Sequence, residues 1–301
     1  MKIPVVDFAS YDPNDPEALN ALAEQVRQAL TGIGFLSLKN VGIPEDLRQR
    51  MFATAASFFA QEDAEKRKLG YSDAKENFGY QGVCEESLNP GMPPDLKEAL
   101  TLRDLEKHRD FAWPDLTLRD LLLQFYEECM AAAYRVLRVF AVSLDLPIEF
   151  FVDRHKGENV TLRVLHYPPL DAASPGQLGA GAHTDYGMVT LLFQDAVGGL
   201  EVRDANGNWQ AVDPMPDAVV INAGDLLQCW TNEHYRSSLH RVQPRGGVGD
   251  RYSIAFFVDP DSDTLVECLP SCTDADNPPR FAPITAGEHI LAKIEATHLP
   301  N

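Results

Sequence analysis

The chain has 301 residues, 45% of them apolar and 24% charged, an ordinary globular composition long enough for one large domain or two small ones. Against 26 lysines and arginines stand 45 aspartates and glutamates, a formal net charge of −19. Phosphate backbones and anionic lipid repel such a chain, so neither nucleic acid nor a membrane is expected as a partner.

The apolar runs fall short of the roughly 18 residues a transmembrane helix needs. The opening Met1-Lys2-Ile3-Pro4-Val5-Val6-Asp7-Phe8 is broken by Pro4 and Asp7 and does not read as a signal peptide. The cysteines (Cys84, Cys129, Cys229, Cys268, Cys272) are sparse and odd in number, so free thiols in a reducing cytoplasm are expected. Cys268 and Cys272 lack the second pair of ligands a structural zinc site takes.

Pro16 to Leu30 carries Leu19, Leu22, Val26, Ala29 and Leu30 at helical spacing, with Asp15 as cap and Gly32-Ile33-Gly34 as stop. Phe35-Leu36-Ser37-Leu38 reads as a strand. A second helix is expected from Glu45 to Gln61, after Pro44, and a third from Asp115 to about Leu144, ending at Asp145-Leu146-Pro147. Between them, Gly70 to Leu96 reads as irregular, with Gly79-Tyr80-Gln81-Gly82 and Asn89-Pro90-Gly91-Met92-Pro93-Pro94. Loops of that length are usually functional lids or disordered.

After Val160 short β-rich runs alternate with turns: Val160–Tyr167, Ala182–Phe193, Leu200–Arg203, Trp209–Val212, Ala218–Asn222, Leu226–Cys229, Ser237–Val242, Tyr252–Val258 and Thr264–Glu267. Many short, evenly spaced strands predict a sandwich, jelly roll or barrel. A last helix is expected from Ala286 to Ala296. The reading is one domain, with a mainly helical part over 1–159, a β core over 160–270 and a carboxy-terminal helical part over 271–301.

Gly181-Ala182-His183-Thr184-Asp185-Tyr186-Gly187 places His183 and Asp185 two apart at a strand start, on one face. Alone that is a weak signal, since a surface histidine beside a carboxylate looks the same. His240, in Ser237-Ser238-Leu239-His240-Arg241-Val242, would complete two histidines and a carboxylate, the facial set of non-haem Fe(II) oxygenases. His234 competes, but lies in the turn-like Thr231-Asn232-Glu233-His234. In Arg251-Tyr252-Ser253-Ile254-Ala255-Phe256-Phe257-Val258, alternation puts Arg251 and Ser253 on one face of an otherwise apolar strand. Buried there they need a polar partner, and a guanidinium beside a hydroxyl suits a carboxylate, whether a ligand's or a structural aspartate's.

These motifs, in this order and spacing, resemble the isopenicillin N synthase-like family of Fe(II)/2-oxoglutarate-dependent dioxygenases. The likeness extends to Ile3-Pro4-Val5-Val6-Asp7-Phe8, Gly32-Ile33-Gly34-Phe35, Gly79-Tyr80, Leu162-Arg163, Tyr167-Pro168-Pro169 and Asn222-Ala223-Gly224-Asp225. It implies an α+β, mainly β fold: a distorted double-stranded β-helix, or jelly roll, with supporting helices. It implies Fe(II) on His183, Asp185 and His240, and 2-oxoglutarate held by Arg251 and Ser253 with help from Tyr167. With O₂, such an enzyme hydroxylates, desaturates or otherwise oxidises a small organic molecule and releases succinate and CO₂. Leu165 stands where many plant members have Asn, which removes one auxiliary co-substrate contact. Arg163, on the same strand face, is a candidate for a substrate or co-substrate carboxylate. In relatives the pocket mouth is built by the segments that here hold Phe78, Tyr80, Tyr186 and the region of Ile290, which suits an apolar or aromatic small molecule.

The run Ala182 to Gly187 and Asp195-Ala196-Val197-Gly198-Gly199-Leu200 is also similar to bacterial ethylene-forming enzymes. Three alternatives stay open: a same-fold iron oxidase that does not use 2-oxoglutarate, a zinc hydrolase or isomerase on the same triad, and a non-catalytic binding module. A monomer or weak homo-oligomer is expected.

Overall fold

The computed structural model describes residues 3–73, 75–89, 92–105, 107–169, 176–244 and 249–297. Ala74, Pro90 and Gly91 of the irregular segment therefore lie outside the described residues. In chain order the elements are β1 (Val5–Asp7), α1 (Pro16–Gly32), β2 (Phe35–Lys39), α2 (Glu45–Phe59), α3 (Asp63–Lys66), β3 (Phe78–Gln81), β4 (Glu98–Arg103), α4 (Leu116–Ser143) and β5 (Val160–Tyr167). There follow β6 (Ala180–His183), β7 (Val189–Gln194), β8 (Leu200–Arg203), β9 (Trp209–Ala211), β10 (Ala218–Ala223) and α5 (Asp225–Trp230). The chain ends with β11 (His240–Val242), β12 (Arg251–Val258), β13 (Leu265–Val266), β14 (Ile284–Thr285) and α6 (Ala286–Thr297).

The long helices begin where their caps are. The Asp15 carboxylate accepts the amides of Glu17 and Ala18, and that of Asp115 the amides of Thr117 and Leu118. Each satisfies amides that have no intrahelical partner. α1 buries Leu19, Leu22, Ala23, Val26, Ala29 and Leu30, and α4 buries a continuous apolar stripe from Leu118 to Ala141. α4 lies on the outer face of the large sheet, with Phe125 edge-on to Phe193 and Tyr126 edge-on to Phe256.

Among the described residues that sheet has eight strands in the order β1-β2-β10-β7-β12-β5-β4-β3, and faces a second sheet of four, β6-β11-β8-β9. Two antiparallel layers over a common interior, with helices outside, are the expected jelly roll. The amino-terminal part is mainly helical yet supplies β1 to β4, so the large sheet is shared between both halves of the chain.

Two expectations are corrected. Leu226–Cys229 is not a strand but lies inside the helix α5. Leu226, Leu227 and Trp230 are its buried residues, a spacing that fits a helical turn rather than alternation. The run Ala182–Phe193 is not continuous. It leaves the small sheet after His183 and enters the large one at Val189, with the Asp185 carbonyl accepting the Asp225 amide between them.

Candidate metal centre and active-site cavity

His183 closes β6 and His240 opens β11, and the two are paired across the antiparallel ladder with ring centroids 4.3 Å apart. Asp185 follows in the loop after β6. Its Oδ1 lies 3.9 Å from His183 Nε2 and 3.5 Å from His240 Nε2. One ligand atom from each residue falls within 4.8 Å of the others. The outer ring nitrogens are oriented by backbone: His183 Nδ1 is 2.7 Å from the Gly181 carbonyl and His240 Nδ1 3.1 Å from that of Ser238. Carbonyl partners place the protons on Nδ1 and turn the Nε2 lone pairs inward. The other carboxylate oxygen, Asp185 Oδ2, accepts from the Thr190 hydroxyl and from Asn222 Nδ2 at 2.7 Å. Burial, then the neighbouring His240, depresses His183 to about 3, which keeps it neutral and able to donate to a metal. Burial opposes the charge on Asp185, but the two imidazoles and the Thr190 hydroxyl outweigh it and hold the carboxyl low. Burial opposes charge on His240 as well, but Asp185 beside it outweighs this and raises its pKa, so a metal binding there displaces the Nε2 proton. Two imidazoles and one carboxylate fit octahedral Fe(II) with positions to spare. His234 does not join them: it stacks on Tyr235 and lines a separate polar groove with Asn232 and Arg280.

β12 runs antiparallel between β5 and β7, and its residues Arg251, Ser253, Ala255 and Phe257 alternate onto the face between the sheets. Arg251 is 5% exposed. It donates to the Gly198 carbonyl at 2.6 Å, to Gln194 Oε1 at 3.3 Å and to the Ser253 hydroxyl at 3.4 Å, and its guanidinium lies 4.5 Å from the Tyr167 ring centroid. All these partners are neutral. Among the described residues no carboxylate pairs with this buried cation, so a ligand carboxylate fits where the protein supplies none. Leu165 packs here with Tyr167, Ala180, Val242 and Ala255, forming an apolar wall in place of a polar contact.

A cavity opens on the triad from the other end of these strands. Its lining includes Asn77, Glu86, Leu88, Arg163, Tyr186, Phe257, Asp259, Ile290 and Ile294. Arg163 reaches it as expected. The guanidinium is forked onto Glu86, at 3.3 and 3.0 Å, and also donates to Thr101. Glu86 in turn meets Lys97 at 3.0 Å, and Lys97 pairs with Asp95, whose second oxygen accepts the Gly181 amide at 2.8 Å. Two cations and two anions thus close on each other beside the triad and tie the segment after β3 to β6.

Tyr186 lines this cavity, but Phe78 and Tyr80 do not, which corrects their expected place at its mouth. Phe78 stacks on His108 at 4.1 Å beside Phe111 and Trp113. Tyr80 is 2% exposed, packs on Phe58 and bonds Glu98 through its hydroxyl. The reason is strand parity: residues 78 and 80 share one face of β3, while Asn77, one residue earlier, is the cavity residue.

The sequence reading missed Asp259. It continues the alternation of β12, is 7% exposed and lines the cavity. It accepts one amide, from Met188 at 3.3 Å, and burial pushes its carboxyl up to about 7 against the opposing pull of Arg103. Gly187 makes room for it: a Cβ at 187 would fall 1.4 Å from Asp259 Oδ1.

The comparisons agree with this geometry. The sequence profile of the 2OG-Fe(II) oxygenase superfamily matches residues 158–260, and that of the non-haem dioxygenase in morphine synthesis N-terminal region matches 3–119. The chain is 34% identical to the 2-oxoglutarate-Fe(II) type oxidoreductase hxnY of Emericella nidulans, covering 98% of this chain and 90% of that one. It is 35% identical to the 2-oxoglutarate-dependent dioxygenase citB of Monascus ruber, covering 98% and 95%. Among solved structures, a full-length Neurospora crassa protein in complex with alpha-KG superposes with a TM-score of 0.88 at 30% identity, over 98% of this chain and 96% of that one. The dioxygenase for auxin oxidation in rice does so with 0.81 at 26% identity, over 98% and 96%. Triad, double-layered fold and relatives converge: the chain belongs to the 2OG-Fe(II) oxygenase superfamily and is a dioxygenase that uses Fe(II), 2-oxoglutarate and O₂.

Proposed function

We propose that His183, Asp185 and His240 hold the iron, that Arg251 with Ser253 and Tyr167 receives the far carboxylate of 2-oxoglutarate, and that a small, largely apolar or aromatic molecule is oxidised in the cavity lined by Tyr186 and Phe257. The observation that carries this reading is the inner face of β12. Its amino-terminal end buries a cation with no counter-ion among the described residues, and its far end lines the cavity that opens on the triad.

Bound iron supplies the oxidative decarboxylation of 2-oxoglutarate to succinate and CO₂ and the oxidation of a nearby C–H bond. The chain's residues supply placement. Gly181 and Ser238 aim the imidazoles, Asn222 and Thr190 aim Asp185, and Arg251 fixes one end of the co-substrate so that its keto-acid end faces the triad. Leu88, Phe257, Ile290 and Ile294 keep water from the reacting carbon. The same Neurospora crassa protein is described with thymine and with 5-formyluracil, both small molecules, which supports a diffusible substrate here.

The test is aerobic turnover with Fe(II), 2-oxoglutarate and a compound library, reading succinate. Succinate formed in step with one oxidised compound is the expected result. A compound oxidised without succinate would overturn the co-substrate assignment in favour of the same-fold oxidase.

A further inference from the structure

Asp259 has no counterpart in the chemistry assigned so far. Ionised carboxylates are rarely buried without partners, because desolvation is costly unless several donors or a cation compensate it. Asp259 is 7% exposed and has a single long bond from the Met188 amide. Among the described residues no cation forms an ion pair with it: Arg163 and Lys97 are committed to Glu86 and Asp95, and Arg103, which pulls on it without pairing, bonds Asn159. No other donor to its carboxylate is found among the described residues, and the residue lines the cavity.

The position matters as much as the unfilled hydrogen bonding. Arg251 and Asp259 lie at opposite ends of one strand face, on the order of 26 Å apart along an extended chain. The Arg251 end offers a dicarboxylate a cation and the Asp259 end offers it none, so the same strand orients both ligands.

We propose that Asp259 selects the prime substrate by accepting a hydrogen bond from it, so that the substrate presents an N–H or O–H donor to this end of the cavity and carries no carboxylate there. This rests on the reading that the substrate occupies the cavity beside Tyr186 and Phe257. Tyr186, Phe257 and Ile290 supply the apolar walls for its body, and Asp259 supplies the polar contact that sets which way it lies. A site built to bond a donor rejects the analogue that lacks one, because its own acceptor is then buried without a partner.

The test uses the anaerobic Fe(II)–2-oxoglutarate holoenzyme and pairs of probes that differ only in N-methylation: thymine and 1,3-dimethylthymine, benzimidazole and 1-methylbenzimidazole, benzamide and N,N-dimethylbenzamide. Benzoate is the anionic control. Binding is read as the rise in melting temperature with probe concentration. In the wild type, at a pH above the raised value of Asp259, at least one donor-bearing probe should bind tenfold or more tighter than its methylated partner, and benzoate should not bind. Asp259→Ala should bring that ratio close to one. Asp259→Asn, which keeps shape and an acceptor, should retain part of it and admit benzoate. The charge-transfer absorption of the iron–2-oxoglutarate chelate should be the same in all three proteins. Equal binding within every pair, a ratio that survives Asp259→Ala, or no probe binding the wild type better than Asp259→Ala would each overturn the proposal. Loss of the chelate absorption in the wild type would overturn the co-substrate reading and this proposal with it.

Discussion

Along one wall of the cavity, Asp95, Lys97, Glu86 and Arg163 satisfy one another: two cations, two anions and a backbone amide, buried together. At the two ends of β12, Arg251 and Asp259 are buried as deeply and have no counter-ion among the described residues. The same physics applies to both sets. A buried charge needs an opposite charge and hydrogen bonds, and removing one partner of a finished pair costs far more than the pair contributes. The closed set can therefore be read as structure, holding the segment after β3 against the triad, and the open charges as sites waiting for ligand. The irregular segment from Gly70 to Leu96, expected as a lid, is fastened from inside by Glu86 and Asp95.

The largest effect should come from the triad that both sets flank. His183→Ala or His240→Ala should abolish iron binding and turnover while the protein stays folded, and His234→Ala should keep both. Metal content after dialysis against Fe(II), beside the urea unfolding midpoint, checks this. Tight iron in His240→Ala together with its loss in His234→Ala would reverse the ligand assignment.

Breaking the closed set should cost stability first. Lys97→Met leaves Glu86 and Asp95 with one cation between them and should destabilise the fold by about 3–5 kcal/mol in equilibrium unfolding. A loss well under that range would mean that water, not Lys97, compensates these carboxylates.

A smaller effect comes from a second closed set outside the cavity. His166 has Glu98 2.7 Å from one ring nitrogen and Asp250 2.8 Å from the other, and it stacks on Tyr252. Burial opposes its charge, but the two carboxylates outweigh it and raise its pKa above the ordinary 6.5. The folded state therefore favours the protonated ring. This stabilisation is complete below the unfolded value and is lost as pH rises through the raised one. As pH rises from the ordinary 6.5 through the raised value the unfolding midpoint should fall, and His166→Phe should remove that part of the slope. An unchanged slope would place the pH dependence elsewhere.

Much of this architecture was legible because it repeats. Helical spacing marks α1, α2 and α4, and alternation puts Arg251 and Ser253 on one face. Carried on through Ala255 to Phe257 and Asp259, the same alternation reaches the far end of the strand, so that site is readable from the strand's period. β4 was hidden because its residues Glu98 to Thr101 are all buried, which erases the alternating pattern. Phe78 and Tyr80 were misplaced by one residue of register, since aromatic side chains suit a core as well as a pocket. The fork from Arg163 to Glu86 joins residues far apart in the chain, and nothing local to either one announces the other.

The most direct measurement is 2-oxoglutarate binding to Arg251→Met under anaerobic Fe(II), with the unfolding midpoint taken on the same sample without co-substrate. If Arg251 is an open charge kept for a ligand, affinity should fall by about 30- to 4,000-fold, iron affinity should stay nearly unchanged, and the stability loss should be smaller than that of Lys97→Met. Wild-type affinity in this variant, or a stability loss as large as that of Lys97→Met, would contradict the account by making Arg251 part of the structure.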